Sequence, residues 1–285
     1  MESTDLTFAV DGTTLQGRLW RAAEGPAGPT VILSHGLSGI VDLDLGAFAA
    51  GFVTKGINCF AYDHRNWGRS GGWPRGESDP WRQVADMRAA ISHVRNLPEL
   101  DPQRIGLWGT SYAGGHVLTV CALDRRVKAG VAQVPLVSGS RTFDSWIPAN
   151  KRAAFIARVL EDQDARARGA PPLTTRAAHP DSESAQWIAT NDKAGVYRNE
   201  LTLQSFELLR SYEPATFAAQ ISPTPLLMIV ANRDTQTPTP WQLETFAQIG
   251  EPKKLVQIDC RHYDVYMSQQ VTAMDAAADW FVEHL

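Results

Sequence analysis

The sequence predicts an α/β protein: a mostly parallel central sheet with helices on both faces and a helical cap insertion. Three observations carry this. Short β-branched or apolar runs at Thr30–Ser34, Ile57–Tyr62, Ile105–Trp108, Val127–Val137, Pro223–Val230 and Lys254–Ile258 read as buried strands. Between several of them lie amphipathic stretches; Val84, Met87, Ile91, Val94 and Leu97 recur at helical spacing. Strand, helix and strand alternating in this way imply right-handed βαβ units. From Ser138 to Ala219 the pattern changes, with helical stretches and no strand run.

The first element is an antiparallel pair, because Leu6 to Trp20 alternate apolar and polar side chains around the turn signal Asp11-Gly12. A loop over Arg21–Pro29 leads to the strand Thr30–Ser34, which ends at His35-Gly36-Leu37 and makes the next loop a candidate site wall. A helix follows over Leu45–Lys55, closed by Gly56, and after the strand Ile57–Tyr62 comes a polar, glycine-containing loop from Asp63 to Gly72. Asp79-Pro80 is a helix start, and Pro98 ends the amphipathic run.

Within the insertion, Phe155, Ile156, Val159 and Leu160 form one apolar face and Leu203, Phe206, Leu209 and Tyr212 another. The Pro- and Ala-rich loop Gly169–Pro180 separates them. Its aromatic residues Phe143, Trp146, Phe155, Trp187, Tyr197 and Phe206 are candidates for a pocket wall if the insertion caps the sheet, although most such residues are ordinary core. The chain closes with the strand Lys254–Ile258, a loop Arg261–Tyr266, and a helix Gln269–Leu285 that turns Val271, Met274, Ala278 and Phe281 inward. The expected organisation is a core in two parts, 1–137 and 220–285, interrupted by a helical cap at 138–219.

A chain of 285 residues can bury a large core, and 44% hydrophobic with 20% charged residues is an ordinary globular composition. The formal charge of -4 provides no basic footprint, which argues against nucleic acid and anionic membrane surfaces as partners. The opening Met-Glu-Ser-Thr-Asp lacks a basic stretch followed by an apolar one, and no apolar run is long enough to span a bilayer, so the expectation is a soluble cytoplasmic protein. Cys59, Cys121 and Cys260 are scattered and odd in number, and read as reduced packing residues. HExxH, paired CxxC and EF-hand patterns are absent, as are GxGxxG and GxxxxGK[ST], so neither a metal nor a cofactor is expected. A small-molecule acyl substrate is the expected partner, with a homodimer left open.

The chemistry centres on Ile105–Gly115, a short strand that turns sharply into a helix with Ser111 on the bend and Ala113, Gly114 and Gly115 in the first turns. Such a turn presents a hydroxyl at the carboxyl edge of a sheet and needs small neighbours. The pattern is close to G-x-S-x-G, with Ala113 in place of the second glycine. Serine is a poor nucleophile unaided, so the elbow matters only if a base and an orienting acid accompany it. Asp234 follows the strand ending at Val230, and His262 follows the strand ending at Ile258, which puts all three residues at one sheet edge. Asp259 and Asp264 are rival acids, but lie too near His262 in sequence to be presented by an independent loop. The backbone N–H groups of Tyr112, after the nucleophile, and of Leu37, in the loop after Ser34, are the expected oxyanion donors. His35 is expected to shape that loop, and His35, Trp146 and Trp187 are the candidate substrate contacts.

The order Ser…Asp…His, together with His35-Gly36, the stretch from Asp63 to Ser70, Gly109-Thr-Ser-Tyr-Ala-Gly-Gly115 and His262 to Tyr266, resembles the α/β-hydrolase superfamily along nearly the whole chain. More narrowly it is similar to the branch of dienelactone hydrolases, Xaa-Pro peptidases, thiohydrolases and acyl or polyketide transferases. The resemblance implies the α/β-hydrolase fold, a Ser111–Asp234–His262 triad and a cofactor-independent attack on an ester, lactone or thioester. Dienelactone hydrolases place Cys at the nucleophile, and the chain is too short for the extra β-domain of Xaa-Pro peptidases. Acyl transfer to an acceptor other than water, or a catalytically idle ligand-binding fold, are the alternatives.

Overall fold

The computed structural model describes residues 2–22 and 28–285, so the expected loop Arg21–Pro29 lies in part outside the described residues. Ten strands and nine α-helices are described. The hairpin β1 (Ser3–Val10) and β2 (Thr13–Trp20) is followed by β3 (Thr30–Ser34), α1 (Leu45–Thr54), β4 (Asn58–Tyr62), α2 (Pro80–Arg95), β5 (Ile105–Thr110), α3 (Tyr112–Leu123) and β6 (Val127–Gln133). After the intervening segment come β9 (Leu226–Ala231), α8 (Thr239–Gln248), β10 (Lys253–Ile258) and α9 (Gln270–His284). Eight strands form one sheet in the order β1-β2-β4-β3-β5-β6-β9-β10. β2 pairs antiparallel with both β1 and β4, and every pairing from β4 to β10 is parallel.

Side chains alternate between two cores because successive residues of a strand point to opposite faces. Ile32, Phe60, Tyr62, Leu107, Met228 and Val230 face one core, where Val84 and Met87 of α2 and Val117 and Leu118 of α3 meet them. Val31, Leu33, Ala61, Trp108, Leu227 and Ile229 face the other, built with Phe48 and Phe52 of α1 and Ala277 and Phe281 of α9. The Trp108 ring lies 4.6 Å from that of Phe48. A buried ion pair locks the loop after β4 to α2: Arg65 Nε lies 2.8 Å from Asp86 Oδ2, and neither side chain meets solvent appreciably.

Between β6 and β9 stand α4 (Gly139–Trp146), α5 (Ala149–Ala167), α6 (Glu183–Asn191), α7 (Gln204–Arg210) and a 3-10 turn at Pro214–Gln220. This segment differs from the strand-free expectation by a two-residue pair, β7 (Thr174–Thr175) with β8 (Leu201–Thr202), too short for an alternating pattern to register. It is sewn to the core by Ser38 Oγ to the Tyr197 hydroxyl at 2.8 Å and by Ser205 Oγ, which accepts from the Ser78 amide at 2.9 Å.

Three local expectations need correction. Val271 is 63% exposed, because α9 begins at Gln270 and its inward stripe runs through Ala273, Ala277 and Phe281. Leu160 of α5 is 54% exposed, whereas its neighbour Val159 is buried. β6 stops at Gln133 rather than Val137: Val134 takes φ 38° and Pro135 follows, which turns the chain away from the sheet.

Candidate active site

Ser111 sits between β5 and α3 with φ 55° and ψ -118°, a conformation that costs a side-chain-bearing residue about 1–3 kcal/mol. Backbone bonds on either side hold it there: the Ser111 amide donates to the Gln133 carbonyl and the Leu136 amide to the Ser111 carbonyl, both at 2.8 Å. The strand runs past the expected end at Trp108 to Thr110, so the bend falls at Ser111 itself. Gly109 serves close packing. A Cβ built there would stand 2.4 Å from the Ala113 carbonyl oxygen, so the first turn of α3 closes directly over it. Gly114 and Gly115 pack likewise against Pro135 and the Leu136 carbonyl. Ala113 is fully buried; its single methyl is accommodated at the position where the usual pattern has glycine.

Asp234 and His262 come from loops at the carboxyl ends of β9 and β10, two parallel neighbours, which brings them together. His262 Nδ1 lies 2.8 Å from Asp234 Oδ2, and both side chains are buried. The other carboxylate oxygen, Oδ1, accepts from the amides of Gln236 at 2.8 Å and Thr237 at 2.9 Å. Thr237 Oγ stands 2.9 Å from Oδ2 and Gln242 Nε2 3.3 Å from it. Burial opposes ionisation of Asp234, but the His262 ring and the Thr237 donors outweigh it and hold the carboxyl below its ordinary range. The rival Asp259 is exposed and pairs with Arg233, and Asp264 caps the short 3-10 turn His262–Tyr266 through Arg261. Neither is on His262.

His262 and Ser111 line one cavity of about 370 Å³, a size suited to a small organic ligand. No hydrogen bond joins their side chains among the described residues. Of the insertion's aromatic residues, Trp146, Phe155, Trp187 and Phe206 line this cavity; Phe143 is buried behind Phe155, and Tyr197 is tied to Ser38. Trp187 also packs on Tyr263 and Tyr266, with centroids 5.8 and 5.7 Å away, so the cap rests on the residues that follow His262.

The loop after β3 forms the facing wall. Gly36 approaches Ser111 so closely that a Cβ there would lie 3.2 Å from the serine Cβ, and Leu37 comes next. The Tyr112 amide opens α3, one of the donors that a helix start leaves without an intrahelical acceptor. His35 is buried, with Nδ1 3.0 Å from the Gly36 carbonyl and Nε2 accepting from the His64 amide at 3.3 Å. Both ring nitrogens therefore serve the loop, and burial pushes the ring's pKa below its ordinary value. Asp63 ties this loop to the one after β4, accepting from the Val41 amide of the first and the Arg69 amide of the second at 2.8 Å each.

Thr237, Gln242 and the Thr110–Tyr266 hydroxyl pair had no signal of their own in the sequence. Only the Asp234-Thr-Gln-Thr237 spelling hints at an Asx-type turn, in which an aspartate accepts from amides two and three residues on.

The comparisons agree with this architecture. The chain is 27% identical to the α/β-hydrolase GrgF from Penicillium sp. sh18 and superposes on its crystal structure with a TM-score of 0.88, covering 100% of this chain and 99% of the other. It is 30% identical to the polyketide transferase claH of Penicillium crustosum over 91% of this chain and 90% of that protein. It is also 28% identical to the thiohydrolase aneE of Aspergillus aculeatus, over 90% and 84% respectively. Residues 25–262 match the Hydrolase_4 family, described as serine aminopeptidase, S33. The chain is thus an α/β-hydrolase of the Hydrolase_4 family.

Proposed function

We propose that this enzyme cleaves a carboxylic ester, lactone or thioester of a small, largely apolar substrate through an acyl-Ser111 intermediate. The observation that carries the proposal is the 2.8 Å contact between His262 and Asp234 beside a cavity that also holds Ser111 on its strained elbow. With Nδ1 donating to Asp234, the Nε2 of His262 is the basic nitrogen. It takes the Ser111 proton as Oγ bonds to the acyl carbon. The negative charge that develops on the acyl oxygen is met by the Leu37 and Tyr112 amides, donors supplied by backbone and so already in place. Collapse of the tetrahedral species expels an alcohol or thiol, which leaves with the proton held by His262. Water, deprotonated by the same ring, then releases the acid and restores Ser111.

A second reading is acyl transfer, in which an alcohol or amine rather than water takes the acyl group. It is favoured by the likeness to a relative named as a polyketide transferase. Both share the acyl-enzyme. A panel of acyl esters and thioesters, incubated with and without alcohol or amine acceptors and followed by mass spectrometry, separates them. Free acid in all cases supports hydrolysis, and acceptor-dependent conjugate supports transfer. No turnover of any acyl donor would defeat both.

A further inference from the structure

We propose that Asp44 is a specificity-determining residue that hydrogen-bonds a hydroxyl group carried on the acyl portion of the substrate. The inference rests on the acyl-cleaving reading of the cavity but on different residues. Asp44 stands at the N-cap of α1, where an aspartate ordinarily accepts a hydrogen bond from the second or third helical amide. Here it does not: the residue has φ -138° and ψ -16°, and its side chain makes no cap bond. Instead Asp44 lines the same cavity as Ser111 and His262, at 5% exposure. Its near neighbour Asp42, two residues earlier, shows the contrast, because that side chain reaches outward to Arg18 at 2.9 Å.

A carboxyl at a cavity wall that no side-chain or cap donor satisfies is costly unless water or a ligand completes it. Apart from its own backbone amide, no donor among the described residues reaches the Asp44 carboxyl, and no cation compensates it. Burial accordingly pushes the carboxyl up to about 7, so near neutrality it exists in both forms. The adjacent hydroxyls of Tyr266 and Thr110 are bonded to each other. No cluster of His, Cys, Asp and Glu among the described residues is arranged to hold a metal there. The cavity wall is mixed, with Leu37, Trp187 and Phe206 beside Ser182, Ser184 and Arg176, so it suits an organic chain that carries a polar substituent. A hydroxyl fits both forms of the carboxyl, since it donates to the carboxylate and accepts from the acid.

The test uses the full chain and p-nitrophenyl alkanoates in matched pairs, one plain and one with a hydroxyl placed at each successive acyl carbon in turn. For at least one position the wild type should favour the hydroxylated ester in kcat/KM by roughly tenfold or more, since a site built to pair a hydroxyl discriminates against its absence. Asp44→Leu should collapse that ratio to about one, and Asp44→Asn should keep part of it. In parallel, calorimetry on Ser111→Ala with matched methyl ketones reads the same preference without chemistry, with the hydroxylated ketone binding about tenfold tighter. Loss of ester turnover with a surviving ketone preference overturns the acyl-cleaving reading and leaves the Asp44 assignment standing. Asp44 is overturned if no hydroxyl position is favoured or if Asp44→Leu keeps the wild-type ratio.

Discussion

Replacing Asp44 by Asn should make the protein more stable, and increasingly so as the pH rises. The carboxyl is buried with no donor but its own backbone amide among the described residues, and burial raises it from 3.8 to about 7. An acid raised in the folded state binds its proton more tightly there than in the unfolded chain. Its contribution to stability is therefore full below pH 3.8, falls as the unfolded chain ionises, and is lost once the pH passes about 7. A little over three pKa units, at about 1.4 kcal/mol each, sums to about 4 kcal/mol. More than half of this falls between pH 5 and pH 8. Asparagine keeps the shape and cannot ionise, so every other titrating group cancels when the two proteins are compared. Urea unfolding followed by tryptophan fluorescence, at unit steps across that range, gives the difference directly. The advantage of Asp44→Asn should grow steadily and level off above pH 7. A difference that stays flat from pH 5 to pH 8 would mean that Asp44 ionises as it does in water and that the cavity wall is wet or paired.

Other consequences follow from the same geometry. Asp234→Asn should lower kcat by about 10⁴-fold while the fold persists, because an amide donating to Nδ1 leaves the proton on the wrong ring nitrogen; kcat within tenfold of wild type would move the role to another carboxylate. Gly109→Ala sets a methyl 2.4 Å from the Ala113 carbonyl and should destabilise by about 1–3 kcal/mol, read as a lower urea midpoint at unchanged slope. An unshifted midpoint would show that α3 is not seated as described. Asp86→Ala leaves the Arg65 guanidinium buried and unpaired, and should cost about 3–5 kcal/mol in the same assay. A loss below about 1 kcal/mol would mean that water reaches Arg65.

The central strands were legible because parallel strands covered on both faces become continuous apolar runs, as Thr30–Ser34 and Leu226–Ala231 do. Ser111, Asp234 and His262 were legible for a related reason. Each follows such a strand, and the carboxyl ends of parallel strands meet at one edge. What escaped depends on how side chains point or on very short pairing. Asp44 had no signal of its own, and only its φ/ψ, its missing cap bond and the cavity reveal where its side chain stands. Thr237 comes to Asp234 from the loop after β9 and Gln242 from α8, a meeting set by the path of that loop, which no periodicity encodes. Val271 was misplaced because the buried stripe of α9 begins at Ala273, and Val271 stands exposed in the first turn although its spacing to Met274 and Ala278 is helical. The aromatic residues of the insertion divide into lining and filling only once α5, α6 and α7 are packed.

The most direct test of the central claim is covalent labelling of the nucleophile. Folded wild-type protein treated with a fluorophosphonate should gain one adduct, located by peptide mass spectrometry on Ser111 and blocked by prior heat denaturation. Ser111→Ala should gain none. An unlabelled wild type, or an adduct on any other residue, would contradict the assignment of Ser111 as the attacking group.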